Sequence, residues 1–181
     1  DFNDVLTDIH NKLIYRHPHV FGDKKAANSE EALKTWEEQK ANDEKHQAHN
    51  SILDDLPFAL PALTRAYKLQ KRCAKVGFDW DNPQSVFNKV KEELQEVWNE
   101  MVQSPIQAEK LEEELGDLLF VSTNLCRHYG IDAESCLRKA NAKFERRFRG
   151  VEQLVKSQQK QVSDCSLNEL DALWNEIKSR E

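Results

Sequence analysis

Apolar residues recur at helical spacing along most of the chain, so the pattern is read here as a succession of amphipathic helices. The stretch "DFNDVLTDIHNKLIYRH" opens one helix over residues 1 to 21, ended by "HPHVFGD", where Pro18 restricts the residue before it and Gly22 marks a turn. From Asp23 to about Asn50 the chain is highly charged, with Trp36 nearly its only large apolar residue. It predicts an exposed helix, "SEEALKTWEEQK", followed by a mobile connector. A new core begins at "LPFALPALTRAYKLQKRCAKVGFDW", opened by Pro57 and Pro61 and ended by Gly77. Three further helices are predicted at roughly 84 to 102, 107 to 129 and 133 to 156, punctuated by Pro83, by Pro105 and by "YGID" around Gly130. A last short helix holds "SLNELDALWNEIKSR", with Ser166 and Glu169 in a capping-box arrangement.

Composition agrees with an all-α reading. The chain has 181 residues, 39% hydrophobic and 32% charged, with only five Gly and five Pro, too few breakers for a sandwich or barrel. That length suits one ordinary domain with a smaller appendage. The net charge of −6 argues against general nucleic-acid binding, which calls for a basic stripe. Cys73, Cys126, Cys136 and Cys165 stand far apart without a Cys-x-x-Cys pair, so free thiols are expected, not a zinc site or disulfide framework. The apolar run "LLFV" is far too short for a membrane span, and no secretory leader is apparent, so a cytoplasmic location is expected. The chain starts inside a predicted helix without Met, as a fragment or processed form would. A faint internal echo aligns "DFNDVLTDIHNKLIYRHPHV" with "DAESCLRKANAKFERRFRGV", placing Asp1, Lys12, Arg16 and Val20 against Asp132, Lys143, Arg147 and Val151, as a duplication would.

Acids interrupt the apolar stripe of two of these helices. With Glu114 at zero on a helical wheel, Val121 lies at roughly −20°, Leu125 at 20°, Leu118 at 40° and Asp117 at −60°. "VFNKVKEELQEVWNEM" repeats the pattern: with Glu93 at zero, Val86 falls near roughly 20°, Val97 near 40° and Glu96 near −60°. The short link "QSPIQ" makes the two helices an antiparallel hairpin, in which Glu96 matches Glu114 in height and Glu93 matches Asp117. Four acids on one partly apolar patch would repel one another and forfeit hydration unless a cation sits among them. A hard divalent ion, Mg²⁺ or Mn²⁺, suits the all-oxygen donors Glu93, Glu96, Glu114 and Asp117. Glu92, Glu100, Glu109 and Glu112 fit solvated faces instead. Gly116, inside the second helix, signals close approach by a neighbouring backbone or ligand. A di-iron site would want Glu-x-x-His, and His128 lies away from the acids.

Lys89 and Lys110 fall on the acid-bearing sides of their helices, for charge balance or for substrate. Lys139, Lys143 and Arg147 form an i, i+4, i+8 row, with Asn141 nearby, which would grip an anion or simply face solvent. A carboxylate-held divalent ion beside such a row is what a polyphosphate ester demands. No Gly-rich Walker loop is present. His17-Pro18-His19 and His46-x-x-His49 are incidental pairs in polar segments. Trp80 and Trp174 are core residues or surfaces for a nucleobase.

"KVKEELQEVWNE" followed by "KLEEELGDLLF" resembles the Glu-Glu-x-x-Glu then Glu-x-x-Asp signature of MazG nucleoside triphosphate pyrophosphohydrolases. The likeness extends through "LPALTRAYKLQKRCAKVGFDW", "KANAKFERRFRGVE" and the terminal Trp helix. It implies an antiparallel hairpin bundle with a dimeric four-helix core, and Mg²⁺-dependent hydrolysis of nucleoside triphosphates to monophosphate and pyrophosphate. Typical members carry two tandem domains, so residues 1–22 are expected to be the end of a first domain lacking its carboxylate hairpin, 23–50 a charged helical linker and 51–181 the catalytic domain. On this resemblance Glu93, Glu96, Glu114 and Asp117 hold metal, and Glu92 and Glu93 are the catalytic acids, Glu92 being a candidate base. Lys89, Glu92, Lys110 and Glu113 line the substrate site, Lys143 and Arg147 contact phosphates, and Trp174 approaches the nucleotide. The competing class is a helical dimerisation or partner-binding module with a merely structural metal.

Overall fold

A computed structural model describes residues 1–41 and 51–181, and among these residues the chain is all helical, with no strand. Two compact units form, Asp1–Leu56 and Pro57–Glu181. In the first, α1 (Phe2–Arg16) packs with α2 (Pro18–Phe21) and α3 (Ser29–Ala41). The single helix expected over residues 1 to 21 is broken at His17. Pro18 forces the preceding residue out of the helical region and, lacking an N–H, fits best as the first residue of a new helix. The connector expected after α3 lies outside the described residues, as do His46 and His49.

The second unit contains α4 (Ala62–Lys75), α5 (Pro83–Met101), α6 (Ala108–His128), α7 (Ala133–Ser157), a 3-10 turn (Val162–Asp164) and α8 (Leu167–Ser179). The punctuation is local chemistry. Gly77 and Gly130 adopt φ of +84° and +66°, the left-handed conformation that ends α4 and α6. Asn82 caps α5 by accepting the Ser85 N–H at 2.9 Å, with Pro83 as its first residue. Asp132 caps α7 by accepting the Ser135 N–H at 2.6 Å, as Asp1 caps α1 from the Asn3 N–H at 2.6 Å, so the two echoing segments begin alike. They then diverge, because no proline interrupts α7.

Helices α5 and α6 pack along their length as a hairpin, α4 covers α6 and α7, and α8 lies on α7. Small β-branched residues fill the centre: Val86, Val97, Val121, Val151 and Val155 are all buried. The contact of α7 with α8 is so close that a Cβ on Gly150 would fall 2.9 Å from Ile177 Cδ1. Buried Gln70 ties α4 to α6 by donating from Nε2 to the Phe120 carbonyl at 2.8 Å. Asp79 of the "GFDW" turn accepts from Arg127 and, at 3.1 Å, from His128 Nε2, pinning that turn to the end of α6. His128 is thus engaged well along α6 from the acids. The four cysteines are free, and no helix among the described residues is long and apolar enough to cross a membrane.

The capping box of α8 closes as expected. The Ser166 N–H donates to Glu169 Oε2 at 2.8 Å, and the Glu169 N–H donates to Ser166 Oγ at 3.3 Å. Ser166→Ala should cost about 1 kcal/mol in urea denaturation. The backbone of Ser166, then Lys160 at 3.0 Å, hold the Glu169 carboxyl down at about 2. A carboxyl with a depressed pKa stabilises the fold fully above its ordinary value of 4.5, and that contribution disappears as pH falls toward 2. Melting curves of the parent chain and Glu169→Gln should therefore differ at pH 7 and draw together as pH falls from 4.5 toward 2.

Candidate functional site

The α5–α6 hairpin carries the acids. On α5, Glu93 occupies the face of buried Val86 and Val97, and its side chain is only 7% exposed. On α6, Glu114 is half-buried one turn before Leu118 and two before buried Val121, while Asp117 is exposed at the edge of the same face. Glu93, Glu114 and Asp117 can each present a carboxylate oxygen such that all three lie within 4.8 Å of one another. The fourth predicted acid, Glu96, is half-buried and lies beside Glu93 on α5, outside that trio. One acid of α5 and two of α6 therefore meet, with Glu96 flanking them.

Among the described residues, charge compensation is incomplete. Lys89 Nζ contacts Glu92 at 2.8 Å and Glu93 at 2.7 Å, and these carboxylates hold its ammonium above the ordinary lysine range. Glu114 is pushed up first by burial and then by the negative charges of Glu93, Asp117, Glu113 and Glu100. Glu96 is pushed up first by its hydrogen bond with Glu93, then by burial and the charge of Glu93. Anions so disfavoured, in an all-oxygen donor set with one lysine shared between Glu92 and Glu93, fit a hard divalent cation.

The other predicted residues are placed as follows. Glu92 is exposed and accepts from Lys89, so Lys89 balances charge in the way its helical position allowed. Lys110 and Glu113 are exposed on α6, and Lys110 makes no ion pair with any described residue. Lys139, Asn141 and Lys143 are exposed on α7. Arg147, only 16% exposed, lies with its guanidinium carbon 5.8 Å from the centre of the Trp174 ring. Trp174 is half-buried and packs 5.2 Å from Phe144, which stacks on Phe148.

Two readings change. Glu100, assigned to a solvated face, is half-buried, its Oε2 is buried without a hydrogen-bond partner among the described residues, and its charge acts on Glu114. The signal was available, since Glu100 is two turns from Glu93 on the same face. Beyond its own stretch of helix, no atom of the described residues lies within 4 Å of a Cβ built on Gly116, so no other described backbone requires that glycine.

Fold and site together define a helical protein built around an acid-bearing hairpin. The profile of the MazG nucleotide pyrophosphohydrolase domain matches residues 81–151, spanning that hairpin and much of α7. The chain is 49% identical over 181 residues to the nucleoside triphosphate pyrophosphohydrolase of Escherichia coli K12, covering all of this chain and 69% of that protein. It is 39% identical over 175 residues to the nucleoside triphosphate pyrophosphohydrolase/pyrophosphatase MazG of Thermotoga maritima, covering 97% of this chain and 65% of that protein. It is also 42% identical over 179 residues to the uncharacterized protein YabN of Bacillus subtilis, of which it covers 36%. The chain belongs to the MazG nucleotide pyrophosphohydrolase family.

Proposed function

We propose that this chain hydrolyses nucleoside triphosphates, deoxynucleotides included, to the monophosphate and pyrophosphate, using Mg²⁺ with Mn²⁺ as a substitute and acting as a homodimer. The observation that carries the reading is the convergence of Glu93, Glu114 and Asp117 within 4.8 Å, with Glu96 alongside and too little positive charge to balance them. These four residues would hold the ion, which when bound supplies charge opposite the phosphate oxygens and polarises water. Glu92, exposed and held against Lys89, is the carboxylate free to take a proton from the attacking water. Attack at the α-phosphorus breaks its bond to the bridging oxygen, and pyrophosphate leaves. Lys143 and Arg147 donate to phosphate oxygens of the bound nucleotide, Lys89, Lys110 and Glu113 line the substrate, and Trp174 borders the base.

Support for the dimer is an uncovered apolar surface: Leu94, Trp98 and Met101 on α5 and Leu115 and Leu119 on α6 are exposed. Free thiols suit the cytoplasm, and the acidic balance disfavours nucleic acid. The test is incubation with mixed nucleoside triphosphates and Mg²⁺, followed by ion-exchange separation of products. Monophosphate with pyrophosphate is expected. Diphosphate with orthophosphate would contradict attack at the α-phosphorus, and absence of turnover would favour a partner-binding module.

A further inference from the structure

Glu181 lies far from the acid hairpin in sequence, and it holds two neighbouring cations of α7. Arg147 donates to Glu181 Oε2 from Nε at 2.9 Å and from Nη2 at 2.7 Å. Arg146 donates to the other oxygen, Oε1, from Nε at 3.0 Å and from Nη2 at 2.7 Å. One carboxylate thus separates two adjacent guanidinium groups that would otherwise repel, and it joins the chain two residues beyond α8 to the middle of α7. Arg147 is the member turned inward, 16% exposed against 64% for Arg146, and its guanidinium faces Trp174. Trp174 in turn meets Phe144, a residue 58% exposed. Each guanidinium brings two N–H groups onto one carboxylate oxygen, and such charge-assisted contacts fix orientation as well as charge, because the planar group accepts few geometries. The arrangement is a cation and an aromatic surface locked side by side.

We infer that Glu181 is a positioning residue for nucleotide binding: it holds Arg147 against Trp174, so that an anion donor and a stacking surface are set in place before substrate arrives. The inference rests on the proposed function, in which Arg147 meets phosphate and Trp174 borders the base. Without Glu181, Arg147 regains its rotamers and is repelled by Arg146, and that ordering cost falls on substrate binding. Chemistry occurs at the acid hairpin, which Glu181 does not touch, so binding should suffer and turnover should not. Bonds with Arg147 and then Arg146 hold the Glu181 carboxyl down at about 2, so the clamp stays charged even in mild acid.

The test compares the parent chain with Glu181→Ala and Glu181→Gln in steady-state hydrolysis of ATP with Mg²⁺, and in tryptophan-fluorescence titration with the non-hydrolysable α,β-methylene-ATP. Glu181→Ala should raise KM and the analogue's Kd about tenfold with kcat within about twofold. Glu181→Gln, which keeps the acceptor oxygen but not the charge, should fall between. Thermal melting of both variants, without nucleotide, guards against a trivial loss of fold. An unchanged KM in an active Glu181→Ala variant would overturn the inference while leaving the proposed function intact. A lowered KM would also overturn it, showing that the carboxylate competes with phosphate for Arg147. Loss in kcat alone would contradict it as well. Absence of hydrolysis and analogue binding in the parent chain would remove both readings together.

Discussion

Glu114→Gln is expected to raise the melting temperature of the metal-free protein and to reduce turnover by about 100-fold or more. The two effects have one cause. Burial and the neighbouring charges of Glu93, Asp117, Glu113 and Glu100 already disfavour the Glu114 anion, so an uncharged isostere relieves repulsion in the folded chain. The same change strips the charge from one of the three carboxylates whose oxygens meet within 4.8 Å. Altering even the groups that surround metal ligands costs roughly 10–100-fold in affinity or activity, so removal of a ligand charge should reach at least the upper end. A third consequence separates this from a generic defect. A ligand that binds only the folded state stabilises it by about 2.7 kcal/mol at a hundredfold excess over its Kd. Millimolar Mn²⁺ should therefore raise the parent chain's melting temperature by several degrees and leave the variant nearly unmoved. An equal Mn²⁺ response in both proteins would show that Glu114 is not a ligand.

Trp98→Glu should yield a folded monomer. Trp98 is 57% exposed, as is Leu94, and Leu119 on α6 is 60% exposed. Rotationally, Leu94, Trp98 and Met101 lie roughly 80° to 140° from Glu93, and Leu115 and Leu119 roughly 100° to 140° from Glu114. Both helices thus turn their acids toward one side of the hairpin and an apolar stripe toward another. Stable interfaces bury on the order of 1,200–2,000 Å², and a stripe along two long helices supplies area of that kind. A carboxylate at its centre would be buried without a partner, which costs several kcal/mol. Light scattering after gel filtration should give twice the chain mass of 21.1 kDa for the parent protein and the single mass for the variant. Circular dichroism should be unchanged, since Trp98 is not a core residue. A parent chain that runs as a monomer at all concentrations would end the dimer reading.

Much of this architecture was legible before any coordinates. Helix boundaries at Pro61, Pro83, Asp132 and Ser166 match the observed starts closely, because proline, aspartate, asparagine and serine act through contacts within three residues of themselves. The hairpin was legible because its link is too short for anything but antiparallel neighbours. The break at His17 was missed, since the apolar spacing on either side of Pro18 gave no hint that the helix restarts there. The acid trio was legible in part. A wheel and a count of rise from the turn bring four acids to one region, but which three of them touch depends on side-chain rotamers and on how the two helices roll against each other.

From the sequence alone came the all-helical class, the position of the hairpin and the two acidic faces that break its apolar stripes. These are local facts, set by a 100° turn per residue and by capping groups that reach a few residues along the chain. Tertiary structure alone decided that Glu93, Glu114 and Asp117 are the three acids that meet, and that Glu181 clamps Arg146 and Arg147 from more than thirty residues away. Such pairings follow from how whole helices dock, and docking is governed by the shape of packed side chains, which no periodicity in one dimension encodes.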